Sequence, residues 1–246
     1  MKGWIVVWAS VVLLTVGVVT TANAESPIMW QVELKFGQYK ADVDTEFSGS
    51  SLPYKCGSAD GPFECIYGSS GVLMSMLEVD LQFWRGVGSL GVGGTVGYAL
   101  DNGTALDATT GAKPGDETSF NVVPMQLSLV YHFDWLAIEH RVPFVPFAKV
   151  GIDYWIWWMR NSQDEVATAD GSDALGGTFG WHVGGGIKFL LDWLAPDMAT
   201  TFDLEMGVNN SYLFAEFIYS SVDDFGSDKS LRLGDAFWMF GLAFEL

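Results

Sequence analysis

Basic residues are scarce. The 246-residue chain holds 12 Lys and Arg against 30 Asp and Glu, a formal charge of -18, and so acidic a surface repels nucleic acid, whose phosphates need clustered cations. Cysteine is scarcer, with Cys56 and Cys65 alone. Histidine is represented by three residues, none near either cysteine, which argues against a metal site built on the pair. The glycine runs match no phosphate-binding loop. Long apolar runs are missing after Ala24: each later apolar stretch is broken at alternate positions, which excludes a membrane-spanning helix there.

What remains is an apolar chain that is also highly charged. Hydrophobic residues make up 49% and aromatics 15%, and the mean hydropathy is +0.23. These values exclude a disordered chain and require the two residue classes to be segregated. Residues 1–24 account for part of the apolarity. Lys2 precedes the run "WIVVWASVVLLTVGVV", and Ala22-Asn23-Ala24 supplies small residues at a cleavage site, so 1–24 reads as a signal peptide and 25–246 as the mature domain. The run is short for a membrane anchor, and no cysteine follows the site to carry a lipid.

Period two dominates the rest, and it predicts eight strands with two unlike faces. The first, Ile28 to Tyr39, sets Trp30, Val32, Leu34 and Phe36 against Gln31, Glu33, Lys35 and Gly37. In the second, Leu73 to Arg85, Leu77, Val79, Leu81 and Phe83 oppose Glu78, Asp80 and Gln82. The third runs from Ser89 to Leu100, and the fourth from Ser119 to Phe133 with a bulge expected at Pro124. The fifth, Phe144 to Met159, puts Lys149, Asp153, Trp155 and Trp157 on the polar face. The sixth, Phe179 to Asp192, puts His182, Gly184, Gly186 and Lys188 there. The seventh, Phe202 to Tyr219, starts with Asp203 and Glu205 on that face and is ambiguous in register at its far end. The eighth is "WMFGLAFEL", Trp238 to Leu246.

Long acidic connections (40–72, 101–118, 160–178, 220–231) alternate with shorter ones (86–88, 134–143, 193–201). This is the pattern of an all-β, eight-stranded antiparallel transmembrane barrel with short periplasmic turns and long external loops. A soluble barrel of the same strand number would turn its greasy face inward; here the apolar face carries Trp, Tyr and Phe, while charges and glycines occupy the other. The last strand must close on the first, since an open edge in lipid leaves backbone groups unpaired.

Several stretches, among them "WQVELKFGQYKADVD", "GSLGVGGTVGY", "VPFAKVGIDYWIWW", "GWHVGGGI" and "LRLGDAFWMFGLAFEL", resemble a family of outer-membrane β-barrel proteins known chiefly from myxobacteria. More distantly the chain is similar to small eight-stranded barrels of the OmpA and OmpW kinds. The resemblance implies fold and location and transfers no catalytic motif and no cofactor. Gly241, Phe244 and Leu246 resemble the C-terminal signal read by the barrel-assembly machinery. Expected partners are that machinery, periplasmic chaperones, outer-membrane lipids and lipopolysaccharide, with the protein a monomer.

The candidate chemistry lies in a loop and in the lumen. Cys56 and Cys65, in "CGSADGPFEC", are expected to form a local disulfide in an oxidising compartment. Glu33, Lys35, Glu78, Asp80, Lys149, Asp153, His182, Lys188, Asp203 and Glu205 are expected to face the lumen, with Glu245 and Asp192 near its rim. Antiparallel neighbours suggest bridges from Lys35 to Glu78 and Asp80, and from Lys188 to Asp203 and Glu205. Trp155 and Trp157 are expected to pack over Gly184 and Gly186. Acids outnumber lysines, so the lumen is either a narrow, cation-favouring path or a plug. His182, with Asp153, Asp173 and Ser211 as candidate neighbours, is the only rim histidine for catalysis; a packed, hydrogen-bonded histidine is the plainer reading. The sequence thus favours a non-enzymatic barrel with a structural, small-solute-passage or binding role. A lipid-modifying or proteolytic barrel enzyme and a surface adhesin are the alternatives.

Overall fold

A computed structural model describes residues 29–47, 61–107, 110–113, 115–140, 142–169, 171–194, 196–227 and 230–246; the expected signal segment and Cys56 lie outside them. Eight strands close into one antiparallel barrel: β1 (Trp30–Tyr39), β2 (Val72–Gly86), β3 (Gly88–Thr104), β4 (Glu117–His132), β5 (Phe144–Arg160), β6 (Leu175–Leu190), β7 (Asn210–Val222) and β8 (Asp235–Glu245). Each strand pairs with its sequence neighbours, and β8 returns to β1 with Gln31 opposite Glu245 and Gly37 opposite Met239. Beyond that ladder the Leu246 N–H donates to the Trp30 carbonyl at 2.8 Å. The barrel therefore has no open edge, which is what a strand ladder surrounded by lipid requires.

The two faces sort as period two predicts. On β1, Gln31, Glu33 and Lys35 are fully buried, whereas Trp30, Leu34 and Phe36 point outward and are 41 to 49% exposed. A water-soluble protein would not leave so continuous an apolar belt uncovered. Exposed aromatics gather near both ends of the belt. Trp30, Phe83, Trp84, Tyr131 and Phe144 stand at the end that carries Leu246, and Tyr98, Phe179, Trp181, Tyr219 and Trp238 toward the other. Such girdles are the interfacial anchors of membrane barrels. No described helix is long and apolar enough to cross a membrane.

Short helices fill the connections. A 3-10 turn (Val43–Phe47) and α1 (Pro62–Tyr67) lie over the far mouth, α2 (Trp135–His140) sits at the near end, and a second 3-10 turn (Leu191–Trp193) leads into α3 (Pro196–Met206), also at the near end. A two-residue hairpin, Thr168–Ala169 with Ser172–Asp173, tops the loop between β5 and β6.

Four expectations are corrected. The seventh strand begins at Asn210, because residues 196–206 form α3; Pro196 suits the first helical position, and Gly207, at φ +69, ends the helix with its N–H on the Asp203 carbonyl at 3.0 Å. The near-end connection 191–209 is accordingly not short. Pro124 makes no bulge. Pairing of β3 with β4 skips Gly97 and Tyr98 opposite Val123 and Pro124 and resumes in the same register, since proline has no N–H to give. The register shift lies instead on β2 between Gln82 and Trp84, and it leaves Phe83 and Trp84 both facing outward. Lastly, Trp155 lies opposite Thr178 and Trp157 opposite Gly176, whereas Gly184 faces Lys149 and Gly186 faces Phe147.

Candidate functional site in the barrel lumen

The lumen is built in three layers. The far half is apolar: Tyr39, Met74, Met76, Trp155, Ile218 and Met239 point inward from five strands and pack with Val43 of the first loop and Phe63 and Tyr67 of α1. Tyr39 stacks edge-on against Trp155 at 5.4 Å and donates its hydroxyl to the Leu233 carbonyl at 2.7 Å. Phe63 meets Phe120 at 5.2 Å. This cap is held by Asp44, whose carboxylate accepts the Phe63 and Glu64 N–H groups at 2.8 and 2.7 Å. Gly61 leaves room for that contact, because a Cβ there would come within 2.4 Å of Asp44 Oδ1. Burial pushes the Tyr67 phenol above its ordinary range.

At the near end a smaller apolar layer, Val145, Phe147, Tyr212, Phe214 and Ala243, packs with Ala137 of α2 and Leu190. Glu245 sits in it, accepting from Tyr212 Oη at 3.0 Å and Asn210 Nδ2 at 2.8 Å. Beside it, in the turn after β6, burial pushes the Asp192 carboxyl upward.

Between the two lies an ionic layer in which no side chain is more than 3% exposed. Lys35 bridges Glu78, Glu216 at 3.0 Å and Glu33 at 3.3 Å. Lys149 reaches the same three, Glu78 at 3.0 Å, Glu216 at 3.1 Å and Glu33 at 3.5 Å. Lys188 holds Glu33 at 2.6 Å and donates to His132 Nε2 at 2.8 Å. Phe147 lies beneath, its ring centre 5.1 Å from the Lys149 ammonium and 4.9 Å from that of Lys188, near enough for cation–π attraction. Buried charges persist only when paired and hydrogen-bonded, and this layer is cross-linked from six strands, five of which supply its charges.

Beside it runs a second chain. His182 Nε2 lies 2.9 Å from Ser128 Oγ and its Nδ1 2.9 Å from Asp153 Oδ1, while Ser220 Oγ donates to Asp153 Oδ2 at 2.7 Å. The order Ser, His, Asp is that of a hydrolase triad. Yet Ser128, His182 and Asp153 are at most 3% exposed, and the inner face of Gly151 is closed by the ring itself, 2.6 Å from where a Cβ would stand. The three side chains are thus held out of solvent in one hydrogen-bonded chain that joins β4, β5, β6 and β7.

Eight of the ten expected lumen charges are inward and buried: Glu33, Lys35, Glu78, Asp80, Lys149, Asp153, His182 and Lys188. Asp203 and Glu205 are corrected, since both sit exposed on α3. Lys35 meets Glu78 as expected but not Asp80, and Lys188 crosses the lumen to Glu33. The serine beside His182 is Ser128; Ser211 lies at the near end opposite Phe244, and Asp173 in the far hairpin. The sequence reading missed Glu216 and the part played by His132. Gly241 packs at the β1–β8 seam opposite Lys35, Phe244 and Leu246 face outward, and Cys65 is buried on α1.

Among the described residues, Glu33, Asp80 and His132 bring possible metal-ligand atoms within 4.8 Å of one another. Lys188 already occupies the cation's place between two of them. Its ammonium contacts both Glu33 and His132, and a metal ion there would meet that charge at short range.

A family model described as "Outer membrane protein beta-barrel domain" matches residues 9–205. Neisserial surface protein A is 11% identical and covers 90% of this chain and 98% of its own, with a TM-score of 0.46. OprG from Pseudomonas aeruginosa is 13% identical over 89% of this chain and 96% of its own, TM-score 0.44. The outer membrane enzyme PagL is 14% identical over 88% and 98%, TM-score 0.39. A search of curated proteins gives no match.

Proposed function

The chain belongs to the outer membrane protein β-barrel domain family, and from that premise we propose that it is a structural, non-conducting and non-enzymatic barrel of the outer membrane. One observation carries the reading. The ionic layer is buried between two apolar layers, the far one capped by α1 and the near one backed by α2. An ion entering from either side would shed its hydration against apolar side chains at a cost of several kcal/mol, and the three lysines already pair with Glu33, Glu78 and Glu216. Glu33 and Glu78, two of the acids that favour a cation path on sequence grounds, are thus locked in ion pairs.

On this reading the protein's contacts are made by its outside. Outer-membrane lipid and lipopolysaccharide surround the belt, and the assembly machinery and chaperones engage the chain before it closes, through Gly241, Phe244 and Leu246. Residues 1–24 are removed on export, and a Cys56–Cys65 link then ties the first loop to α1. The far loops face the medium.

Two measurements test this. Purified protein in planar bilayers should give no current steps under applied voltage; a steady current with a cation-selective reversal potential would refute the closed barrel. A Ser172→Cys variant, at the exposed hairpin between β5 and β6, should react with an impermeant thiol reagent on intact cells. Labelling seen only after lysis would invert the topology.

A further inference from the structure

Near-end turns of such barrels are short, and the one between β2 and β3 is a single residue, Val87, between Gly86 and Gly88. The connection 191–209 departs from this rule. It carries a 3-10 turn and an 11-residue helix, α3, and it leaves large apolar side chains uncovered. Trp193 is 58% exposed, Leu194 61%, Leu204 80% and Met206 67%. Isolated exposed leucines need no explanation, but a run of them beside the barrel does.

The run continues the lipid belt. Phe144 and Phe189, on the outer faces of β5 and β6, lie 5.2 Å apart, and Phe189 meets Trp193 edge-on at 6.4 Å. An unbroken aromatic path therefore leads from the lipid-facing wall to the turn that starts α3. The segment 191–206 contains Asp192, Asp197, Asp203 and Glu205 and no lysine or arginine, so its attraction to a bilayer is apolar and not electrostatic.

We propose that the Trp193–Met206 segment is an interfacial foot that lies on the phospholipid leaflet at the end of the barrel carrying Leu246, with Trp193, Leu194 and the pair Phe202 and Met206, one helical turn apart, among the acyl chains and the Asp203 and Glu205 carboxylates toward water. Tryptophan at the start of the segment suits the headgroup level, where its amphipathic ring is favoured. A second copy of the chain or a soluble partner is the competing occupant.

Photolabelling decides between them. The full-length protein is folded into phosphatidylethanolamine vesicles that contain a phospholipid with a photoactivatable acyl chain, and adducts are mapped by mass spectrometry. The outward strand faces serve as an internal positive control. The expected result is labelling of peptides within 193–206 at a level within about threefold of the belt peptides. Phe202→Asp together with Met206→Asp should lower α3 labelling about tenfold and leave the belt unchanged. Labelling of the belt with none on α3 overturns the proposal, as does chemical cross-linking of α3 to a second copy in the same vesicles.

Discussion

Replacing Lys149 by methionine should lower the unfolding free energy of the barrel by about 3–5 kcal/mol, because breaking a buried ion network leaves charges without partners. Methionine keeps most of the volume and can still lie against Phe147, so the loss is electrostatic. The lysine reaches Glu78, Glu216 and Glu33 within 3.5 Å and is 3% exposed; without it Lys35 alone bridges all three. Adding Glu78→Gln to Lys149→Met should recover part of the loss, since one uncompensated carboxylate is then removed. Arg160→Gln is the control. Its pair with Asp164, at 2.6 Å, joins side chains 40 and 80% exposed, and surface pairs contribute about 0 to 1 kcal/mol. Urea titrations followed by tryptophan fluorescence report all three. A Lys149→Met effect no larger than the Arg160→Gln effect would mean that the layer is solvated, and the closed-lumen reading would fall with it.

How much of this was legible in the sequence depends on the physics involved. Period two is a local signal, and it placed Glu33, Lys35, Glu78, Asp80, Lys149, Asp153, His182 and Lys188 on the inner face because each alternates with a lipid-facing apolar residue. The signal fails where contrast fails. On β7 both faces are greasy, with Leu213 and Phe217 outside and Phe214 and Ile218 inside, so Glu216 stood out on neither. It fails again at residues 202–208, where a few alternating positions fit a strand and a helix equally; Pro196 and Gly207 were the deciding marks. Partners across the lumen lie beyond any local rule. Lys35 meets Glu216 and Lys188 meets Glu33 at separations of 181 and 155 residues, whereas of the bridges that strand adjacency suggested only Lys35–Glu78 forms. The apolar plug was hidden for a related reason. Tyr39, Met74, Trp155 and Met239 sit on the face that the charges had marked as polar, and alternation alone cannot say where along the barrel the inner face changes character.

Closure of the barrel should fail in a Gly241→Val variant. Gly241 lies at the seam between last and first strands, opposite Lys35 on β1 and Phe214 on β7. A Cβ there would stand 1.9 Å from the Leu34 carbonyl oxygen and 2.9 Å from the Phe214 ring. The ring can rotate away, but the carbonyl belongs to the ladder that joins β8 to β1, so a side chain forces the seam apart. Overpacking a well-packed site costs about 1–3 kcal/mol, and here the strained contact also removes seam hydrogen bonds whose loss in lipid costs several kcal/mol each. Refolded from urea into detergent micelles, Gly241→Val should give no heat-modifiable, closed form on gels, and in cells it should be degraded before insertion. Phe244→Ala makes the contrast. Phe244 faces outward opposite Val32, so its loss opens no seam; refolding in micelles should match the unchanged chain, while assembly in cells falls if the machinery reads that residue. Normal refolding of Gly241→Val would show that the seam tolerates a side chain, and the role of Gly241 would then lie in recognition alone.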